Sequence, residues 1–297
     1  MKTLPSILLL LALSCTAREV PEAESTLRLR FGSGVPTRAE RGDAPSERMI
    51  NDLYLLVRDV SSGRLDACEH YTGLDVDDWD EVSVVVRSGK KTISAYANWP
   101  GDDFEAAVPL ENSSFSAMSF PMTGSLGIVA LPGEEVSATI SLARIVARVS
   151  LCSLENRLPS GAGLTLNGAY LSGIGEYADF EYPEQTVWRP DEPIIIAASS
   201  RWDAVFSATQ RGSRFYAVPS SSGSPPARLV VECSINGHSC YYPLSMPVLQ
   251  ANTDYRVSLT VTGIGSPSPD TPVEPVDYSF SVSAAPWESG ASYTENF

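Results

Sequence analysis

The chain has 297 residues, of which 43% are hydrophobic and 9% aromatic, and this is enough to build the cores of two ordinary domains. Its formal net charge of -15 argues against a protein that binds nucleic acids or anionic membranes, because both of those partners need a basic surface.

The chain begins with a segment typical of a secretory signal. Lys2 precedes an apolar run, residues 4–13, which is too short to span a bilayer and stops at Ser14 and Cys15. The residues ALSC resemble a bacterial lipobox, in which Cys15 would become the lipidated first residue of the mature chain, although Ala12 stands where such boxes usually have leucine. The alternative is plain secretion, with Cys15 as an incidental thiol. No later apolar segment approaches transmembrane length, so any membrane attachment is expected at this end.

A strand followed by an exposed loop is predicted next. Leu27, Leu29 and Phe31 alternate with polar residues, which is the pattern of a half-buried strand. The loop after it contains two glycines and a proline, which favour irregular structure, and two arginines, Arg38 and Arg41. A trypsin-like protease could reach such a loop. We expect cleavage after Arg38, with Arg41 as the alternative.

Most of the remaining sequence is typical of β-strands. Strands are predicted in INDLYLLVRD, EVSVVVRSGKKTISAYANWPG (two strands), LTLNGAYLS, PIIIAAS, RFYAVPS, ARLVVECSINGHSCYYPL and DYRVSLTVTG. Residues 135–151 are also assigned to strands on their β-branched content, although Arg144 and Arg148 are four residues apart and would suit a helix. The only helix predicted is a short one within residues 103–115.

Turn signals recur about every ten residues, and this spacing is typical of β-sandwiches. The predicted fold is therefore all-β, with two sandwich domains in tandem. No low-complexity linker separates them. The most natural break lies near residues 141–144, which leaves two parts of ordinary domain size.

The C-terminal region contains a second candidate for a separable strand. Residues 265–277 are rich in proline and in acidic residues, and they are expected to form an extended, mobile spacer. The strand that follows repeats the period-two pattern of the first strand, and Pro286 is expected to end its pairing. Its apolar face consists of Tyr278, Phe280, Val282 and Ala284.

Two cysteines bracket a predicted hairpin turn. Asn236 and Gly237 have the sequence signature of a type I′ turn, which would place Cys233 and Cys240 directly opposite each other. A cross-strand disulfide between them is geometrically allowed, but it depends on the side-chain torsions as well as on the distance. The alternative is two free thiols packed as small apolar residues.

Catalysis has little support in the sequence. The two histidines, His70 and His238, are expected to be solvated loop residues rather than bases or metal ligands. Residues 75–81, DVDDWDE, lack the glycine and the closing glutamate of an EF-hand loop and are interpreted as an acidic surface loop. We therefore predict that the protein is not an enzyme and has no metal site and no cofactor.

An ordered set of segments along nearly the whole chain resembles the fimbrillin family, the subunits of type V pili. The segments, none of which is specific alone, are the lipobox, STLRLRFGSGVPTRAERGD, INDLYLLVRD, RSGKKTISAYANWPG, SFPMTGS, LARIVARVSL, VVECSINGHSCYYPLSM, and NTDYRVSLTVTGIGSPSPDTP followed by DYSFSVSAAPW. The resemblance implies two tandem transthyretin-like β-sandwich domains. The implied division is a signal peptide at 1–15, a propeptide strand at 16–38, and domains at 39–142 and 143–297, with a donor strand at 278–285.

The resemblance also implies how such a subunit assembles. The precursor is a lipoprotein of the outer membrane, an arginine-specific surface protease cuts it, and the strand that contains Leu27, Leu29 and Phe31 is released. The C-terminal strand of a neighbouring subunit then fills the vacated groove, which builds the fimbrium at the cell surface. A sandwich that lacks a strand is a physical acceptor for one, because it exposes apolar residues and unpaired backbone groups. The implied partners are other copies or related pilus subunits, the protease, membrane lipid before cleavage, and adhesion receptors on host or bacterial cells.

Other readings fit the same residues. The first and last strands could be permanent parts of a secreted β-protein. The chain could also be a surface lipoprotein that does not polymerise, either a pilus anchor or a carbohydrate-binding or adhesin protein at the tip. The N-terminus of the protein on cells separates these readings, because a processed subunit would begin at Ala39 and an anchor would keep an acylated Cys15.

Overall fold

The computed structural model of the chain describes residues 23–32, 50–72, 82–99, 109–111, 120–159, 161–175, 177–179, 186–187, 194–197, 200–207, 210–220, 226–287 and 293–295. Every element of regular secondary structure within these ranges is a β-strand, so the predicted all-β fold is confirmed. No helix in the described ranges is long and apolar enough to cross a membrane.

The residues up to Arg144 form two sheets around one core. Their strands are β1 (Glu24–Gly32), β2 (Asp52–Asp59), β3 (Leu65–Thr72), β4 (Val82–Arg87), β5 (Gly89–Ala97), β6 (Pro109–Glu111), β7 (Met122–Ala130), β8 (Glu135–Ser141) and β9 (Ala143–Arg144). The strand order is β4-β1-β8 in one sheet and β3-β2-β5-β7-β9 in the other. Alternate apolar side chains of both sheets meet in this first core, which is the arrangement of a β-sandwich.

The residues after Val146 build a second sandwich. Their strands are β10 (Ala147–Asn156), β11 (Leu164–Ile174), β12 (Tyr177–Asp179), β13 (Thr186–Val187), β14 (Ile194–Ala197), β15 (Ser200–Ser207), β16 (Gln210–Ala217), β17 (Arg228–Ile235), β18 (His238–Ser245), β19 (Thr253–Val261), β20 (Tyr278–Pro286) and β21 (Tyr293–Glu295). The two main sheets have the orders β15-β16-β10-β19-β20-β21 and β14-β11-β17-β18. A second core fills the space between them.

Two features join these parts of the chain. A small sheet of order β13-β12-β6 pairs β6, from the first part, with β12 from the second. An apolar cluster separate from both cores also forms around the connection, and it contains Phe120, Ile145, Val146, Tyr216, Val218 and Trp287. Because the two parts are joined in this way, the division into domains at residue 142 stays a proposal.

Two expectations for local structure have different outcomes. Residues 135–151 are mainly strand, as predicted, because they form β8, β9 and the first half of β10. The short helix expected within residues 103–115 is wrong at Pro109–Glu111, which are the strand β6; the rest of that range lies outside the described residues. β6 pairs with β12, and this non-local pairing outweighs the local helical pattern.

Candidate functional site

The first strand, β1, is the middle strand of its sheet. It pairs antiparallel with β4 over residues 24–29 and parallel with β8 over residues 26–32. The sheet order places β1 between those two strands, so each of them faces β1 rather than the other. Loss of β1 would therefore leave two adjacent strands with unpaired backbone N–H and C=O groups.

The inward side chains of β1 are core residues. Leu27 and Leu29 are 0% exposed and Phe31 is 7% exposed. Burying three side chains of this size is worth about 1.5 to 3 kcal/mol each. On the opposite face, the partly exposed Arg28 forms an ion pair with Glu135 of β8 (Nε to Oε1, 2.6 Å), which adds little at an exposed position. β1 is thus held mainly by apolar burial and by its two ladders.

The space that β1 fills is closed at one end. Ser25 is buried, and its hydroxyl donates a hydrogen bond to the carbonyl of Leu131. The Gly133 N–H donates to the carbonyl of Glu24 at 2.8 Å, which fixes the same end. At the other end, Phe31 lies two residues beyond the last residue of β1 that pairs with β4. The space therefore holds a small polar side chain at the Ser25 end and an aromatic ring at the Phe31 end.

β4 has anchors that do not depend on β1. Arg87, at its end, pairs with the buried carboxylate of Asp66 in β3 (Nη2 to Oδ1, 2.9 Å). The buried ammonium of Lys91 in β5 lies 2.6 Å from Asp66 and 2.8 Å from Asp59. Burial alone would lower the pKa of Lys91, but the hydrogen bonds to the two aspartates outweigh it and raise the pKa. The Arg87–Asp66 pair thus keeps β4, one wall of the β1 space, attached to the other sheet, and Lys91 holds Asp66 in place from within that sheet.

The predicted C-terminal strand is β20, and it lies in the sheet of the second core. It pairs antiparallel with β19 along its whole length, and with β21 over residues 282–284. On its predicted apolar face Val282 is 2% exposed, whereas Tyr278, Phe280 and Ala284 are only partly buried. Pro286 is the last residue of the strand, as predicted. β20 is therefore less completely buried in its own subunit than β1 is.

Trp287, directly after β20, fastens the end of the strand. Its backbone N–H donates a hydrogen bond to the carbonyl of Asn252 at 2.8 Å. The guanidinium groups of Arg144 and Arg148 lie 4.6 Å and 4.7 Å from the centre of its ring, and the ring stacks on Tyr216 at 5.8 Å. Two cation–π contacts to one buried ring form a specific attachment point.

A buried ion pair supports this attachment. Arg148 donates two hydrogen bonds to Asp254 of β19, each of 2.9 Å, and Arg256 donates a third of 2.8 Å. Burial alone would raise the pKa of Asp254, but these hydrogen bonds outweigh it and lower the pKa. Sequence reasoning missed this cluster. The available signal was the placement of Arg144 and Arg148 within the otherwise apolar segment LARIVARVSL, because buried charges need partners.

The expectation of a mobile spacer at residues 265–277 is wrong. The N–H groups of Thr262 and Gly263 both donate to the carbonyl of Asp277 at 2.8 Å, which brings the two ends of the segment together. Ser266 forms a bridge with Tyr241, and Val273 is 8% exposed in the second core. A proline-rich composition stiffens a segment, but it does not prevent packing where hydrogen-bond partners and an apolar pocket are available.

The hairpin at Asn236 and Gly237 has the predicted geometry. Both residues have positive φ angles, 48° and 85°, as a type I′ turn requires, and Cys233 lies directly opposite Cys240. Both cysteines are buried free thiols in the structure, so the disulfide stays a prediction. Burial raises the pKa of Cys233 to about 12.

The remaining predicted positions divide into two groups. His238 is exposed and is the first residue of β18, and His70 is exposed on β3, where its ring stacks on Tyr54 at 3.8 Å. Both lie in strands, so the prediction that they lie in loops is wrong. Cys15, Arg38, Arg41 and the acidic segment 75–81 lie outside the described residues. Within the described ranges, no group of three His, Cys, Asp or Glu side chains is placed to hold a metal ion.

The fold is similar to those of several solved bacterial surface proteins. A candidate cell adhesion protein from Bacteroides eggerthii has 16% identity and a TM-score of 0.64, over 90% of this chain and 97% of that one. A fimbrilin from Porphyromonas gingivalis has 16% identity and a TM-score of 0.63, over 90% and 98%. A candidate cell adhesion protein from Parabacteroides distasonis has 13% identity and a TM-score of 0.62, over 92% and 99%. No protein-family model and no curated protein matches the sequence.

Proposed function

We propose that the protein is a structural subunit of a cell-surface fimbrium that supports adhesion and polymerises by donor-strand exchange after proteolysis. The observation that carries the proposal is the position of β1 between β4 and β8, with Leu27 and Leu29 wholly buried. Similarity of fold to a fimbrilin and to candidate adhesion proteins supports the same role. No step of this role requires enzymatic activity of the chain itself.

Cleavage after Arg38 would separate β1 from the rest of the chain. β1 ends at Gly32 and the described chain resumes at residue 50, so both Arg38 and the alternative site Arg41 fall in the connection. After cleavage only non-covalent forces hold β1. The residues from Ala39 would then form the mature subunit, with proposed transthyretin-like domains at 39–142 and 143–297.

The donor in this proposal is β20. Its partly buried residues would become more fully buried in a groove built for core side chains, while β19 and the second core would lose the cover that β20 now gives them. To reach a neighbour, Trp287 must leave its arginine pair and the hydrogen bonds to Asp277 must open. The 13 residues from 265 to 277, once extended at about 3.1 Å each, would reach about 40 Å.

The other partners follow from the precursor. Lipidation at Cys15 would hold it in the outer membrane until an arginine-specific surface protease releases it from the lipid. The mature subunit would then contact other copies of the chain or related pilus subunits, and adhesion receptors on host or bacterial cells.

A pair of charge substitutions in β20 tests the donor role. Phe280→Asp should give a secreted, processed monomer that forms no SDS-resistant ladders on unboiled gels, because an aspartate cannot be buried in an apolar groove. The control is Ser279→Asp, which adds the same charge at an exposed position of β20 and should leave the ladders intact. Because Phe280→Asp keeps its own groove, it should also cap and shorten fibres when mixed with wild type. Full ladders from Phe280→Asp alone would place the donor elsewhere.

The N-terminus of the protein on cells separates a polymerising subunit from an anchor. Mass spectrometry should find Ala39 as the first residue. Gly42 would move the site to Arg41, and an acylated Cys15 would contradict the proposal.

A further inference from the structure

The space occupied by β1 has a direction, because the side chains that fill it change in size along the strand. From one end to the other it holds Ser25, Leu27, Leu29 and Phe31. Ser25 is 3% exposed and hydrogen-bonded to the Leu131 carbonyl, so a larger side chain there would collide with a fixed backbone. Only the Phe31 position accepts an aromatic ring without displacing a smaller side chain.

β20 has a size gradient of its own along the chain. Its apolar face begins with two aromatic rings and continues with a β-branched residue and a methyl group: Tyr278, Phe280, Val282 and Ala284. In β1 the small residue comes first and the aromatic residue last, whereas in β20 the order is reversed. The two strands therefore match in size only when they run in opposite directions.

We propose that the donor strand enters the groove antiparallel to the β1 strand that it replaces, so that it runs antiparallel to β8 and parallel to β4. This inference rests on the proposed function and adds the direction and register of the exchange. Tyr278 takes the position of Phe31, Phe280 that of Leu29, Val282 that of Leu27, and Ala284 that of Ser25.

The reverse orientation also suits both ends of the donor. Tyr278 takes the site of Phe31, which already holds an aromatic ring, and Ala284 fits the small site of Ser25. Pro286 falls two residues past Ser25, at the position of the exposed Ala23, where the missing N–H breaks no ladder. If the donor ran in the same direction as β1, Tyr278 would occupy the Ser25 site. Shifting that register by two residues in one direction would place Phe280 at the Ser25 site. Shifting it in the other direction would place Tyr278 and Phe280 at the two leucine sites. Overpacking destabilises a core, and the reverse orientation limits it to one ring, that of Phe280 at the Leu29 site.

The exposed serines of β20 allow a direct test of direction. Arg28 of β1 lies opposite Ser137 of β8, so Ser281 takes a place beside Ser137 in either orientation. Ser279 takes the place of Arg30, beside Thr139, in the reverse orientation, and the place of Thr26, beside Glu135, in the direct one. All three β8 residues are exposed, so a cysteine at any of them leaves the core unchanged.

The experiment uses three double variants in a Cys68→Ser background, which removes an exposed native thiol. Each is exported, processed, assembled and mildly oxidised, and then boiled in SDS without reductant. Ser279→Cys/Thr139→Cys should give a covalent ladder that dithiothreitol abolishes, and Ser279→Cys/Glu135→Cys should give none. The third variant, Ser281→Cys/Ser137→Cys, should give a ladder in either orientation. Each unprocessed precursor serves as a control and should stay monomeric.

The outcomes separate the two proposals. A ladder from the Glu135 pair but not from the Thr139 pair overturns the reverse orientation and leaves strand exchange in place. Absence of a ladder from the Ser281 and Ser137 pair, in variants that are processed normally, contradicts exchange into this groove and with it the orientation.

Discussion

β1 and β20 have the same alternating pattern but different positions in their sheets. β1 is paired on both edges and inserts Leu27 and Leu29 at 0% exposure. β20 has one full ladder, with β19, and on its other edge it meets β21 over three residues. Among its apolar residues Val282 is buried, whereas Tyr278 and Phe280 keep part of their surface in water.

This difference assigns the two strands different roles. A strand with two ladders and a fully buried face leaves slowly and creates a large defect when it goes, which suits a strand that a protease must first cut free. A strand with a partly exposed face has burial still to gain elsewhere. In the proposed exchange the side chains of β20 would be more completely buried in the groove than in their present sheet, whereas β19 and the second core would lose the cover that β20 gives them.

The largest expected effect comes from placing the same charge in each strand of the precursor. Leu29→Asp should destabilise the first sandwich by about 5 kcal/mol, since it buries an unpaired carboxylate and removes a core side chain. Phe280→Asp should cost the second sandwich only about 1 to 2 kcal/mol, because the residue is only partly buried. Urea unfolding, monitored by the hydrogen exchange of peptides from each sandwich, measures both losses of stability. Equal losses would remove the contrast between the two strands.

The alternation of β1 and β20 could be predicted from sequence because it is local. The strands with which β1 and β20 pair could not be predicted from sequence. The parallel ladder with β8 joins residues more than a hundred positions apart, and no local pattern in Leu27 to Phe31 specifies it. The spacer prediction failed for the same reason, because composition reports intrinsic stiffness, whereas the hydrogen bonds from Thr262 and Gly263 to Asp277 depend on how the chain folds back. The attachment of Trp287 to Arg144 is likewise non-local.

The buried ion pair beneath Trp287 should make the attachment of β20 sensitive to acid. The folded-state pKa of Asp254 is lowered, so its stabilising contribution is present above the unfolded pKa, near 3.9, and is lost as the pH falls through the folded value. Asp254→Asn leaves Arg148 buried without its full partner and should cost about 3 kcal/mol at pH 7. Thermal unfolding between pH 2 and pH 7 is the measurement. An unchanged pH profile in the variant would show that other carboxylates dominate.

A smaller effect is expected from Trp287 itself. Trp287→Ala removes two cation–π contacts and should loosen β20 by about 1 to 2 kcal/mol, which corresponds to roughly five- to thirtyfold faster hydrogen exchange in residues 278–286. Exchange in β1 should not change. Trp287→Phe keeps an aromatic face, so its hydrogen-exchange rate in β20 should lie between those of the wild type and the alanine variant. If the alanine variant exchanges β20 at the wild-type rate, Trp287 is not what fastens the strand.

The cysteine hairpin shares the second core with β20, but its strands, β17 and β18, belong to the opposite sheet and do not pair with β20, so its disulfide should affect exchange least. Cys233 and Cys240 face each other across a type I′ turn, so a disulfide would close a loop of under ten residues and, in the chain-entropy model, add about 2 to 3 kcal/mol. Because burial raises the pKa of Cys233 to about 12, little thiolate is present in the folded chain, and the bond is expected to form during export, before the hairpin is buried. Thiol labelling of the denatured, unreduced mature chain should find two reactive cysteines, Cys68 and Cys152, and Cys233→Ser should leave the SDS-resistant ladders unchanged. Four reactive thiols would rule the bond out, and loss of ladders in Cys233→Ser would show that this hairpin does contribute to strand exchange.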